Sequence, residues 1–292
     1  MASTSLSAAD TGRTFATPED AVAALVKAVQ ATNRTELRAI FGPAVDDIVN
    51  PDAVQAASEF TTFAAALNEA NRLVRESDTR RILELGKDGW PFPLPIVQKE
   101  GRWFFDTAAG VEELVNRRIG RNELETLKVV RAYVQAQREY ASRDRDGDEV
   151  LEYAQKITSS PSLKDGLYWP PELDGEVSPL GPLAAAAARE GYGKDKNADD
   201  APQPFHGYFF KILTRQGKHA PGGKLNYVTN GNMIGGFALV AWPAEYGETG
   251  IMTFIVNQQG RVYQKDLGPQ TAKTAGTITA YDPDKTWTVS PD

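Results

Sequence analysis

The sequence predicts an α+β fold in two modules. Three observations predict it: helix-period apolar runs fill the first seventy residues, a compact hairpin pattern follows, and a second long helical stretch leads into a β-dense last third. The first module is expected over residues 15–110 and the second over 111–292, with 1–14 as an unstructured terminal segment rich in Ser, Ala and Thr.

The first helix is expected to start at Thr17, an N-cap followed by Pro18 at the first helical position and by Glu19 and Asp20 at the positive end of the dipole. Val22, Leu25, Val26 and Val29 then recur at helical spacing. A second helix fits Thr35 to Phe41 and stops at Gly42-Pro43. A third carries Val54, Ala57, Phe60, Phe63, Ala64 and Leu67 on one side. Arg81 to Leu85 reads as a strand, and Leu94–Gln98 with Arg102–Asp106 as a hairpin around Glu100-Gly101.

From Val111 the pattern is helical again, with a break expected at Gly120 and a long run from Asn122 to Ser142. Val150 to Ile157 is read as a continuation of that helix. Residues 158–182 hold several Pro and Gly and are expected to be irregular, Ala184–Ala188 forms a short helix, and Gly191–Pro204 is polar and mobile. Strands are expected at Tyr208–Leu213 and Gly236–Trp242, and a hairpin at Met252–Val256 and Arg261–Lys265. The long helix is the expected cover for their apolar face.

Composition narrows the function. The chain has 292 residues, 41% of them hydrophobic and 24% charged, a globular balance. A net charge of −7 gains nothing from counterion release, so a nucleic-acid partner is not expected. With no cysteine, thiolate metal sites, disulfides and cysteine nucleophiles are excluded. No run approaches the roughly 18 apolar residues of a membrane span. The start, Met1 to Thr14, lacks the basic and apolar regions of a signal peptide.

One loop carries sharper chemistry. Asp144, Asp146 and Asp148 stand at alternate positions around Gly147, where oxygen ligands can converge on a hard cation such as calcium. Val150 supplies a carbonyl and Glu152 a further carboxylate, so the expected ligand set is Asp144, Asp146, Asp148, Val150 and Glu152. Measured against an EF-hand loop, Glu149 replaces the central Gly and Gln155 replaces the last Glu, which points to a looser, structural calcium site. The alternative is a solvated turn whose charge Arg143 and Arg145 offset.

Catalytic signatures are missing. There is no G-x-S-x-G, H-E-x-x-H, S-x-x-K, P-loop or G-x-G-x-x-G. His206 and His219 are the only histidines and match no compact metal motif. Arg117, Arg118 and Arg121 could grip an anion, or pair with Glu112, Glu113 and Glu123. Trp90, Phe92, Trp103 and Phe105 could line a pocket, but aromatics alternating on strands are more often core.

Three resemblances add to this reading. Trp90-Pro91-Phe92-Pro93, the stretch Phe105 to Gly110, Arg117 to Leu124, Asp165-Gly166-Leu167-Tyr168-Trp169-Pro170 and Gly235 to Gly247 resemble a bacterial family of exported proteins, domain-of-unknown-function family 2950. That resemblance implies export through a signal peptide and a periplasmic or secreted location. It carries over no catalytic residues. The second half, with its helix Leu127–Tyr140, Gly207–Phe210 and Thr249–Asn257, is similar to the globular heads of type IV pilins and pseudopilins, a long helix packed on an antiparallel sheet. The helices and the hairpin ending Gly101–Asp106 resemble the cone-like fold of nuclear transport factor two and cystatins.

The function expected from these readings is a non-catalytic envelope binding or scaffold protein with a structural calcium loop. Its partner would be an envelope protein or polymer. The alternative is an envelope hydrolase using carboxylates or a histidine.

Overall fold

The computed structural model describes residues 12–145, 147–173, 175–192 and 203–291. The chain divides into two compact units, Met1–Arg117 and Arg118–Asp292. Both combine helices with antiparallel sheets, the α+β class that the sequence predicts. No helix among the described residues is long and apolar enough to cross a membrane.

The first unit opens with three helices, α1 (Pro18–Gln30), α2 (Arg34–Phe41) and α3 (Ala53–Glu69), with a 3-10 turn at Pro43–Ile48. Each start has a physical cause. The Thr17 hydroxyl accepts from Asp20 N–H while the Asp20 carboxylate accepts from Thr17 N–H, a reciprocal capping box. Asn33 caps α2, and Asp52 caps α3 through the N–H groups of Val54 and Gln55. A five-stranded antiparallel sheet follows: β1 (Asn71–Ser77), β2 (Arg80–Leu85), β3 (Trp90–Pro91), β4 (Ile96–Lys99) and β5 (Arg102–Phe105). Its order is β1-β2-β4-β5, with β3 on β2. Strand β1 and the pairing of β3 lie outside the sequence reading, because Asn71–Ser77 is almost wholly exposed and shows no apolar alternation.

Leu25, Ile40, Leu67, Leu83, Leu94, Ile96 and Phe105 form the buried centre of this unit. Phe41 meets Phe105 edge-on, and Phe63 stacks on Phe92 at 5.1 Å. Residues 12–14 belong to this fold rather than to an unstructured terminus. Arg13 N–H donates to Ala39 O at 2.8 Å, and Phe15 exchanges both backbone hydrogen bonds with Trp103.

Helix α4 (Thr107–Tyr140) starts in the first unit and continues into the second. It passes Gly120 without interruption, so the expected break is absent: one glycine costs a helix only about 1 kcal/mol, well within what the packed residues on either side supply. The helix ends at Tyr140, and residues 150–157 are non-helical instead of resuming it. There Tyr153 pairs with Met233, and the expected helical continuation is replaced by a bridge to a later hairpin.

The second unit adds α5 (Gly181–Glu190) and a five-stranded antiparallel sheet. In chain order its strands are β6 (Tyr208–Leu213), β7 (Arg215–Gln216), β8 (Leu225–Asn226), β9 (Val228–Thr229), β10 (Asn232–Met233), β11 (Ala238–Pro243), β12 (Met252–Asn257) and β13 (Tyr263–Asp266), then helix α6 (Thr271–Thr277) and β14 (Thr288–Val289). The main sheet runs β14-β13-β12-β11-β6, while β7–β8 and β9–β10 are separate hairpins. Leu127, Val130, Tyr133 and Val134 of α4 join Phe237, Leu239, Phe254 and Val256 in one core, so the long helix does cover this sheet. The Tyr133 hydroxyl donates to Ala238 O at 3.0 Å, and burial raises its pKa far above that of a free phenol.

Candidate functional site

The acidic loop follows the end of α4. Asp144 closes the loop on itself: its two oxygens accept from Gly147 N–H at 2.8 Å and Glu149 N–H at 3.0 Å. Both donors sit on residues with positive φ, +82° at Gly147 and +68° at Glu149. Asp148 accepts from Val150 N–H at 2.8 Å and from the Asn232 side-chain amide. Glu152 accepts from Met233 N–H at 2.9 Å. Asp144 therefore holds its own turn, whereas Asp148 and Glu152 bind the β9–β10 hairpin. Asp146 lies outside the described residues.

That hairpin is missing from the sequence reading although its signal is present. Asn230-Gly231 forms the two-residue turn with positive φ at both positions, +52° and +97°, the conformation this dipeptide favours. The flanking strands are two residues each, too short for alternation to reveal them.

The neighbouring cations share one carboxylate, Glu176. Arg145, its side chain only 5% exposed, turns to Glu176 at 2.8 Å, with Arg143 at 3.2 Å from the same oxygen. Lys164 reaches the other Glu176 oxygen at 2.5 Å. Hydrogen bonds from Lys164, then from Arg145, hold the Glu176 carboxyl below the ordinary glutamate range. Arg145 and Lys164 both contact the fully buried ring of Trp169, at 5.1 and 5.4 Å. The Trp169 indole N–H donates to Glu176 O.

The histidines lie apart in separate settings. His206 stands 3.2 Å from Glu190 between Phe205 and Tyr192. His219 is held twice by Asp282: its backbone N–H donates at 2.7 Å and its Nδ1 lies 3.1 Å from the second oxygen. Gly217 makes room for that carboxylate, since a Cβ there would stand 2.2 Å from Asp282 Cγ.

One further cluster looks catalytic by composition. Lys156 Nζ donates to Ser160 Oγ at 2.7 Å and to Asp165 at 2.5 Å. Burial acts to raise the Asp165 pKa, but the bonds from Lys156 and Ser160 outweigh it and leave the carboxyl below its ordinary range. The cluster closes the 159–166 loop.

The basic run divides. Arg117 pairs with Glu113 at 2.6 Å and lies over Trp90, whereas buried Arg118 faces Glu248 at 3.5 Å. Glu123 instead accepts from Ile251 and Met252 N–H, both at 3.0 Å. Phe92, Trp103 and Phe105 are core, and Trp90 is 44% exposed. Two grooves open to solvent are lined around Arg13 and Arg38 and around Arg215 and Lys224, with no histidine or carboxylate in either lining. Among the described residues no group of three His, Asp or Glu side chains is placed to hold a metal ion.

These features define an α+β protein of two units whose ionisable side chains mostly tie loops together. The chain belongs to the family described as protein of unknown function (DUF2950), whose profile matches residues 12–289. No curated protein and no solved structure matches it.

Proposed function

We propose that this chain is a non-catalytic binding or scaffold protein of the bacterial envelope, exported to the periplasm or beyond. The observation that carries the reading is the dispersal of its reactive groups. His206 meets Glu190, His219 meets Asp282, Lys156 and Asp165 pair with each other, Glu152 accepts from Met233 and Glu176 from Arg145, and none of these six lines either open groove. A catalytic centre needs such groups to converge on one point.

A calcium ion at the 144–152 loop is the second part of the proposal. Ligand spacing supports it: the carboxylates recur at alternate positions, as oxygen ligands of a hard cation do. Its role would be structural, joining the end of α4 to the β9–β10 hairpin that Asp148 and Glu152 already reach.

A hydrolase is the second reading, favoured by the His219–Asp282 contact, in which a carboxylate fixes one ring nitrogen and leaves Nε2 as a base. The two readings separate in one experiment. Purified protein is offered chromogenic esters, amides, glycosides and phosphate esters. The binding reading expects no turnover. Turnover that co-purifies with the chain and disappears in His219→Ala would overturn it.

A further inference from the structure

Strand β6 is an edge of the main sheet in the second unit, with β11 on one side. The pairing kind along it follows from one residue. Tyr208 faces Pro243, which has no N–H, so that pair is of the non-hydrogen-bonded kind. Alternation then makes Phe209, Lys211 and Leu213 the residues bonded to β11, in step with Ala244 N–H donating to Gly207 O at 2.9 Å. Tyr208, Phe210, Ile212 and Thr214 turn their backbone groups outward.

The two ends of this outward row are closed. Tyr208 exchanges hydrogen bonds with Phe205, and Thr214 O accepts from Tyr227 N–H. Between them the N–H and C=O groups of Phe210 and Ile212 have no partner among the described residues. Their side chains pack against the core, so the backbone is held ready in strand form. Paired ends and an open middle make a slot for a short extended segment, the geometry of strand addition.

Charge selects the occupant. Lys211 stands at the centre of the slot, 6.0 Å over Trp242, and its ammonium donates to Gly276 O at 2.8 Å. Two further N–H donors remain on that nitrogen. Burial lowers the Lys211 pKa, which marks an ammonium short of a counter-charge. A second copy pairing so as to use all four open groups would set Lys211 against Lys211, a like-charge pair that edge strands use to block self-association.

We propose that Phe210–Ile212 is a docking edge for an extended segment of a partner polypeptide that carries a carboxylate opposite Lys211. This rests on the binding-protein reading above and names its surface.

The test uses the full chain and a blocked peptide of alternating threonine and valine with one central glutamate, beside the same peptide with a central lysine. In the free protein the Phe210 and Ile212 amides exchange with solvent much faster than those of Phe209 and Lys211. Adding the glutamate peptide shifts the first pair, with about tenfold tighter binding than the lysine peptide. Ile212→Pro removes an outward N–H that the fold leaves unused, and abolishes binding. Lys211→Glu reverses the preference and keeps the test open if the proline variant does not fold. Equal protection of all four amides, no shift with either peptide, or no charge preference would overturn the proposal. So would a doubled mass in sedimentation that Ile212→Pro returns to one copy, since a second chain would then be the occupant. Hydrolysis lost in His219→Ala would remove the binding reading without touching these amides, whereas silent amides would remove the edge alone.

Discussion

The side-chain amide of Gln137 pairs with the backbone of Ala154 as a neighbouring strand would. Its Nε2 donates to Ala154 O at 2.8 Å, and its Oε1 accepts from Ala154 N–H at 2.9 Å. Both residues are buried, so this one glutamine satisfies the segment after the acidic loop and fixes it to α4. Gln137→Leu keeps the volume and removes both partners. Two buried backbone groups are then stranded, at a cost of about 2–4 kcal/mol. Urea denaturation of the variant is expected to show that loss, and an unchanged midpoint would contradict it.

Glu176 gives a pH prediction. Its folded pKa lies below its unfolded value because Lys164 and Arg145 bond the carboxylate. Stability from this group is therefore fully present above the unfolded glutamate pKa, and is lost as pH falls through the depressed folded value. The side chain is 27% exposed, so solvent screening limits the gain to about 1 kcal/mol. Thermal melts should place wild type above Glu176→Gln at neutral pH, with the gap closing in acid. A gap that persists there would show that packing, not charge, sets it.

The seat of Asp282 predicts an unusual pair of variants. Gly217→Ala pushes a methyl group into the carboxylate and is expected to cost about 1–2 kcal/mol. Adding Asp282→Ala clears the clash, so the double variant should be more stable than Gly217→Ala alone. Additive losses in chemical denaturation would contradict the steric account.

Calcium is expected to raise the melting temperature by several degrees over chelator-treated protein, since saturation at a hundred times Kd contributes about 2.7 kcal/mol. Asp144→Asn and Asp146→Ala should each abolish the shift. Equal melting in calcium and chelator would leave the loop as a hydrogen-bonded turn.

Much of the fold is legible in the sequence where periodicity and capping agree. Thr17, Pro18 and Asp20 mark the start of α1 by three independent signals, and all three are in place. The strands Tyr208–Leu213 and Ala238–Pro243 are legible because their apolar runs are bounded by glycine and proline. Gly120 misleads because propensity is a weak local term against a packed helix. Val150, Tyr153 and Ile157 mimic helical spacing, but Gln137 and the Met233 bridge offer the backbone a different set of partners. The candidate loop is legible in residue type alone. The Trp169–Arg145–Lys164–Glu176 cluster draws on residues up to 31 positions apart, and no local pattern joins them.

The pairing of Phe15 with Trp103 has a kinetic consequence. Arg102 and Thr14, beside that pair, are 88 residues apart, so the first unit seals its sheet with one of its longest loop closures. Such closure comes late, after the helices and the β4–β5 hairpin have formed from local contacts. During synthesis the stretch around Phe15 must wait for Trp103 to emerge, and until then Phe15 offers the nascent chain an exposed aromatic that a folding helper can hold.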